Sequence, residues 1–345
     1  MAQWVLPRGQ ASGIGTLTRR VVPIPEPGPS QVRIKVHATS LNFRDILVAD
    51  RMYPVPAGAD LVPLSDGAGV IDAVGPGATP WSVGDRVVSV YFSGWGDGPP
   101  APSMGLGLGS GSENGMLAEY VLLPADRVVR APDSLSLTEA ATLPCAALTA
   151  WSAVRGNRPY RARPLNAEDT VLVLGTSGVS LFALQLAKAS GAQVWATSSS
   201  ESKLERLRQL GVAGTVNYRT TPRWGEQIFA RTGGAQLVVN AAGSGSMDQA
   251  IAAVAFDGDI AFMGLFDQAG AVPDLMTLMG KAASIRGVAV GSRAAFRDLA
   301  DTIDEYAIEP IIDRVVPFDE APEAYRVQSS STQFGKVVIE MVAAT

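Results

Sequence analysis

The sequence predicts an α/β protein of two domains, one β-rich and one built on a doubly wound parallel sheet. Three observations carry that prediction. At 345 residues the chain exceeds a typical single domain, and 47% hydrophobic against 18% charged residues is an ordinary globular balance. Residues 1–130 are rich in short apolar–polar runs separated by Gly and Pro turns, which read as strands. Beyond residue 169, short apolar runs alternate with helical segments, as in parallel strands joined by crossover helices.

Residues 31–37 (QVRIKVH) alternate as a half-buried strand does. Residues 64–74 (LSDGAGVIDAV) and 86–90 (RVVSV) read as further strands, punctuated by Gly75-Pro76-Gly77 and Val83-Gly84-Asp85. Residues 93–115, dense in Gly, Pro and Ser, are expected to form a mobile surface loop, with an active-site lid as the alternative. Residues 116–123 return to strand character. From Ser136 the texture turns helical, and 137–155 reads as a helix broken near Pro144. After it, 170–174, 192–197, 215–217, 237–240, 258–262 and 285–288 read as strands, with helices at 179–190, 202–210, 223–232 and 246–254. Helices at 294–305 and 320–328 and a strand at 336–341 complete the pattern.

Composition excludes several classes. A net charge of -5 argues against a general nucleic-acid or anionic-membrane binder. No apolar run approaches the ~18 residues of a membrane span, and the first ten residues are too polar for a signal peptide, so a cytoplasmic protein is expected. One cysteine, Cys145, and one histidine, His37, rule out an intrachain disulfide and a four-thiolate zinc site. His37 falls within a strand and is expected to be structural.

The densest signal is residues 170–200, TVLVLGTSGVSLFALQLAKASGAQVWATSSS. A strand stops at a small-residue turn, Gly175-Thr176-Ser177-Gly178-Val179, which opens a helix. Such a turn presents free backbone N–H groups and the positive helix end to an anion, and the natural anion is a dinucleotide pyrophosphate. Only Gly175 occupies a glycine position of the G-x-G-x-x-G fingerprint; Ser177 and Ser180 hold the other two. An acid about 20 residues further on would bind the ribose 2′-hydroxyl of NAD. Here the strand ends in Ser198 and Ser199, followed by Lys203, a set able to take a 2′-phosphate. NADPH is therefore the expected cofactor, with NADH possible; the alternative is that the serines merely cap the helix beginning near Ser202.

Taken together, Leu41-Asn42-Phe43-Arg44-Asp45, Ser65-Asp66-Gly67-Ala68-Gly69-Val70, Val83-Gly84-Asp85-Arg86-Val87 and Leu117-Ala118-Glu119-Tyr120 form a series in order. It continues through residues 143–151 (LPCAALTAW), the Gly175 turn, residues 287–293 (GVAVGSR) and Gly335-Lys336-Val337-Val338. The series resembles the medium-chain dehydrogenase/reductase superfamily over nearly the whole chain. The resemblance implies a GroES-like substrate domain, residues 1–140 and 291–345, and a Rossmann nucleotide domain, residues 141–290. Where zinc-dependent relatives carry a cysteine and a histidine ligand, this chain has Asn42 and Ser65; only Cys145 matches a ligand position. The chain thus looks like the zinc-free branch of quinone oxidoreductases and enoyl reductases, with no metal expected and Cys145 expected to be a small buried residue.

Without a Lewis acid, conjugate reduction suits the chain better than alcohol oxidation, because an enolate or hydroquinone oxygen needs only hydrogen-bond donors and one acid. Tyr53, in Tyr53-Pro54, resembles the proton-donating tyrosine of some enoyl reductases; the alternative is a tyrosine that only lines a pocket. Asn42 is expected near the nicotinamide or the substrate carbonyl, with Asp45 orienting its loop. The resemblance further points to Tyr218, with Arg219, at the 2′-position, and to Thr149, Asn240, Gly264, Leu265, Phe334 and Lys336 as cofactor contacts. A homodimer joined through residues 283–289 is implied, with a small electrophile as substrate. The alternatives are a metal-using alcohol dehydrogenase of the same superfamily and a nucleotide-binding relative without turnover.

Overall fold

The computed structural model describes all residues except 8, 10–12, 54–58, 112, 158–162, 267–271 and 342–345. The chain opens with an antiparallel pair, β1 (Ala2–Val5) and β2 (Thr18–Val21). The alternation at residues 31–37 then becomes the first half of β3 (Gln31–Leu41), whose last four residues are all buried, Thr39 and Ser40 included. A sharp turn at Asn42 leads into α1 (Phe43–Ala49), a short helix the apolar pattern alone did not announce. There follow β4 (Asp66–Val74), β5 (Arg86–Ser89), β6 (Tyr120–Pro124) and β7 (Val128–Arg130).

The segment between β5 and β6 is better packed than a mobile loop would be. Trp95, Leu108 and Ser110 are buried within it, and the Trp95 indole N–H donates to the Gly98 carbonyl at 2.9 Å. Helix α2 (Leu137–Ala140) starts on a capping box in which Glu139 accepts from the Ser136 backbone N–H and the Ser136 hydroxyl accepts from the Glu139 N–H. The expected break at Pro144 takes the form of a π-helical turn, Leu143–Ala147, because proline supplies no N–H to the α pattern. Helix α3 (Leu148–Arg155) resumes after it.

In the region that follows, β8 (Thr170–Leu174), α4 (Gly178–Ala189), β9 (Gln193–Ser198), α5 (Glu201–Gln209) and β10 (Gly214–Asn217) wind one way. Then α6 (Trp224–Thr232), β11 (Ala235–Asn240), α7 (Met247–Ala253), β12 (Val254–Phe262), α8 (Leu275–Gly280) and β13 (Ser284–Gly287) extend the sheet the other way. All six strands are parallel, in the order β10-β9-β8-β11-β12-β13. Every residue of β8 is buried, as befits a central strand covered on both faces, and Leu172, Val238 and Ile260 form its core with Ile228 and Ile251. The order of connection reverses between β8 and β11, the switch point at whose carboxyl ends sheets of this kind bind ligands.

The tail comprises α9 (Arg293–Tyr306), β14 (Ile312–Pro317), α10 (Ala321–Ser330) and β15 (Lys336–Glu340). It returns to the first sheet, in the order β14-β15-β3-β4-β5-β7 with β6 also on β3. Antiparallel pairing sets Val337 opposite Leu41 and so carries Lys336 to the end of β3, where the chain turns into α1. Contacts divide the chain into Met1–Leu148 with Gly291–Thr345, and Thr149–Val290. This first boundary lies later than the 140/141 boundary expected from sequence, because the π turn packs on β4 and β5. Among the described residues no helix is long and apolar enough to cross a membrane.

Candidate functional site

In the first unit, chemistry-bearing side chains gather around the β3–α1 turn. Asn42 precedes α1 in an extended conformation, and its backbone N–H donates to Asp45 Oδ2 at 2.8 Å. The other oxygen, Oδ1, accepts from Arg44 Nη1 at 3.0 Å, and the same nitrogen donates to the Leu108 carbonyl at 2.9 Å. Asp45 and Arg44 are both buried. Burial pushes the Asp45 carboxyl up to about 6, with the Arg44 charge pulling it back and the Asp66 charge adding to the rise. The Arg44 guanidinium lies 5.1 Å from the Tyr53 ring centre and 5.3 Å from that of Tyr91, a cation–π arrangement on both rings. Tyr53 is half-buried and its hydroxyl donates a long hydrogen bond, 3.4 Å, to the Leu106 carbonyl. Its neighbour Pro54 lies outside the described residues.

A second cluster adjoins the first through Asn42. The Lys336 ammonium donates to the Leu41 carbonyl and to Asn42 Oδ1, both at 2.7 Å, and stands 3.4 Å from Asp66 Oδ2. Lys336 is 3% exposed and Asp66 fully buried. Ser65 Oγ donates to Asp66 Oδ1 at 2.7 Å, and Ser40 Oγ lies 3.2 Å from Asp66 Oδ2. Cys145 sits in the π turn and is half-buried rather than fully buried as expected; burial of its thiol, and next the Asp66 charge, push it well above the usual range. Among the described residues Asn42 Nδ2 has no hydrogen-bond partner, and it has almost no contact with solvent.

These residues do not fit a catalytic zinc. Such a site needs about three Cys, His or carboxylate ligands around an open position. Asn42 and Ser65 are poor donors for it, and the ammonium of Lys336 already places a positive charge beside Asn42 Oδ1 and Asp66. Among the described residues, no group of three His, Cys, Asp or Glu could hold a metal ion.

In the second unit, Gly175 ends β8 at φ 84°, a left-handed conformation that favours glycine. Its own N–H donates to the Thr197 carbonyl at 3.1 Å, so the free donors are those of the first helical turn from Ser177 onward. Ser177 is exposed, and Gly178 and Val179 are half-buried, while Thr176 is buried. Ser180, in the third glycine position, is fully buried and donates to the Leu174 carbonyl at 2.8 Å, tying helix to strand where glycine would only permit their approach. The twelve-residue α4 thus offers an anion cradle that fits a pyrophosphate. Register pairs Ser198 with Asn217 at the carboxyl ends of β9 and β10, which brings Ser198, Ser199, Lys203, Tyr218 and Arg219 to one end of the sheet. Ser200 caps α5, accepting from the Lys203 N–H, so the capping role falls on it rather than on Ser198. Thr149 is buried, Leu265 is exposed, and Gly264 packs so close to Gly243 that a Cβ would meet its nitrogen at 2.2 Å.

Three residues expected to contact the cofactor have hydrogen-bond partners within their own unit. The Lys336 donors are spent within the first unit. The Asn240 side chain is consumed locally: Oδ1 accepts from the Ala242 and Gly243 N–H groups and the Ser246 hydroxyl, and Nδ2 donates to the Gly243 carbonyl. Asn240 therefore shapes the loop after β11. Phe334 has a buried side chain, and its N–H donates to Asp313. His37 is 3.9 Å from Glu340, away from these groups. Sequence reasoning missed Arg44 and Tyr91. Arg44 carried a signal, a lone guanidinium within the apolar run of α1.

Comparison with known proteins follows the two units. Residues 28–133 match the family model for the alcohol dehydrogenase GroES-like domain, and residues 178–305 that for zinc-binding dehydrogenases. A zinc-type alcohol dehydrogenase-like protein of Schizosaccharomyces pombe is 40% identical over 96% of this chain and 97% of its own length. A solved NAD-dependent alcohol dehydrogenase superposes with a TM-score of 0.86 at 32% identity, covering 99% of this chain and 100% of that one. A crotonyl-CoA carboxylase/reductase solved with NADP shares the fold, with a TM-score of 0.85 at 22% identity over 100% of this chain and 95% of that one.

The folded protein holds the Asp45 proton more tightly than the unfolded chain does. Its contribution to stability is therefore fully present below the ordinary aspartate value of 3.8 and lost as pH rises through about 6. Thermal unfolding of the wild type and Asp45→Asn between pH 4 and 7 should show the wild type losing more Tm across that window. Parallel profiles would remove Asp45 as the titrating group.

Proposed function

Because the chain belongs to the medium-chain dehydrogenase/reductase superfamily of oxidoreductases, we propose that it is an NADPH-dependent, zinc-independent reductase. Its acceptor is a quinone or the activated C=C of an α,β-unsaturated carbonyl. The observation that carries this reading is the Lys336 ammonium among Asn42 and Asp66, at the place where zinc-dependent relatives gather ligands. A site that offers donors rather than a Lewis acid suits a reaction whose negative charge develops on an oxygen already conjugated.

NADPH, when bound, would supply the hydride. The backbone N–H groups of Ser177, Gly178 and Val179 would hold its pyrophosphate, Thr149, Gly264 and Leu265 would hold its nicotinamide half, and Ser198, Ser199 and Lys203, with Tyr218, would take its 2′-phosphate. On the substrate side, Asn42 Nδ2 donates to the carbonyl oxygen on which the electron pair collects. Tyr53 gives its hydroxyl proton to the α-carbon or oxygen and is reprotonated from solvent. Arg44, stacked on the Tyr53 ring, holds that phenol in place and favours the transient phenolate. The relatives named alcohol dehydrogenases supply the competing reading.

NADPH oxidation should proceed with members of a quinone and enone panel and be unchanged by a chelator; chelator-sensitive alcohol turnover would instead support the alcohol dehydrogenase. With an enone, Tyr53→Phe should lower kcat by about 10²–10⁴-fold, the usual contribution of a general acid, and unchanged turnover would leave Tyr53 as a pocket wall.

Cofactor choice rests on the missing acid at the end of β9. Ser198→Asp restores a 2′-hydroxyl partner and repels a 2′-phosphate, so kcat/KM should shift toward NADH by at least about tenfold, one repelled charge being of order 1.4 kcal/mol. A wild type that already prefers NADH would overturn the assignment.

A homodimer is proposed through β13. This edge strand carries exposed Ile285, and α8, just before it, exposes Leu275, Met276 and Met279. An unpaired strand edge beside an apolar patch is stabilised by a second copy. Sedimentation should give twice the 36.0 kDa chain mass for the wild type and the chain mass for Ile285→Lys; a monomeric wild type defeats the proposal.

A further inference from the structure

We infer that Lys336 is a positioning residue, one that locks the Asn42 side-chain amide with its N–H₂ group free to donate to a substrate oxygen. The inference rests on the reductase reading. A carboxamide is nearly symmetrical in shape, and its two ends differ only in hydrogen bonding: one accepts, the other donates. An asparagine alone at a β–α turn can present either end. An ammonium removes the choice, because it has three donors and no acceptor. With Lys336 Nζ at 2.7 Å, the end of the amide that faces it must be the oxygen.

The ammonium is itself fixed. Its remaining protons go to the Leu41 carbonyl and toward Asp66 Oδ2, so three acceptors meet three donors, and the side chain is 3% exposed. Asn42 is likewise held at its other end, where its backbone N–H donates to Asp45. Both ties leave the oxygen end committed, and Nδ2 has no acceptor among the described residues and almost no water contact. Buried polar groups are nearly always paired, and an orphan held this firmly is the kind of donor that a reacting oxygen can satisfy. Lys336 then acts through Asn42, whereas the family resemblance had suggested direct contact with the cofactor.

Lys336→Met alone would strand the buried Asp66 charge, so the test replaces both ends of the pair, Lys336→Met/Asp66→Asn, which leaves no unpaired ion. Against an enone, Asn42→Ala should lower kcat by about 100-fold, the cost of removing one such donor, with the KM for NADPH unchanged. The paired variant should lose a similar factor. Combining the two should cost no more than Asn42→Ala alone, because both remove the same interaction. Multiplied losses, or a raised KM for NADPH that persists when Asn42 is already alanine, would overturn the inference.

Orientation is also read without turnover. In protein labelled with ¹⁵N-asparagine, the Asn42 side-chain amide signal is identified by its loss in Asn42→Ala. It should be sharp and slow to exchange with solvent in the wild type, and should shift and broaden in the paired variant. An unchanged signal rejects the role of Lys336 even if the wild type proves inactive on every acceptor, an outcome that would sink the reductase reading separately.

Discussion

The first unit depends on one buried positive charge. Withdrawing an ammonium from water costs several kcal/mol unless its protons find acceptors, and Lys336 finds three of them in two distant pieces of chain. Leu41 ends β3, Asn42 begins the turn into α1, and Asp66 opens β4; they lie 295, 294 and 270 residues from Lys336. The antiparallel pairing of β15 with β3 is what delivers the charge there. The return of the tail to the first sheet is thus more than closure of a core. It completes the electrostatics of the turn that carries the candidate donor.

Around that charge the remaining polar groups are arranged in layers of one sign after another. Asp66 answers Lys336 and is supported by the Ser65 hydroxyl. Asp45 holds the Asn42 backbone and is answered by Arg44, which in turn stacks between Tyr53 and Tyr91. The result couples the two proposed catalytic groups: Asn42 and Tyr53 are linked through Asp45 and Arg44 without touching a solvent-screened charge. Burial raises Asp45 while Arg44 lowers it, and burial wins. The carboxyl is therefore pushed up to about 6, and the turn it supports would feel its protonation.

How much of this was legible depended on the range of the interaction. Strands and helices follow from local periodicity, and the parallel half, with its strand–turn–helix at Gly175, was readable almost element by element. The six-strand order and the reversal between β8 and β11 then follow from handed crossovers. Less was readable where polarity is balanced over long distances. β14 was missed because its residues, IDRVVP, are half exposed and carry two charges, so no clean alternation shows. Residues 93–115 look unstructured by composition, yet Leu108 and Trp95 anchor them to the interior. Among site residues, the Gly175 turn and the serines of β9 were visible locally. The roles of Lys336 and Asn240 were not, since a motif records which residue stands at a position but not which neighbours spend its donors.

On the proposed reading, an ammonium beside the β3–α1 turn constrains chemistry more sharply than the loss of metal ligands alone would. Zinc keeps an open coordination position, so it can bind an alcohol oxygen directly and stabilise the alkoxide that forms as hydride leaves. The Lys336 ammonium keeps nothing open; its three protons are committed, and it touches the reaction only by fixing what Asn42 can offer. An amide N–H₂ cannot strip a proton from an alcohol of ordinary acidity. It can stabilise an oxygen whose charge is shared along a conjugated system, where each unit of hydrogen bonding has less charge to meet. On the proposed reading, hydride flows toward the acceptor, because reduction of an enone or quinone draws on the donors present in the Lys336 cluster.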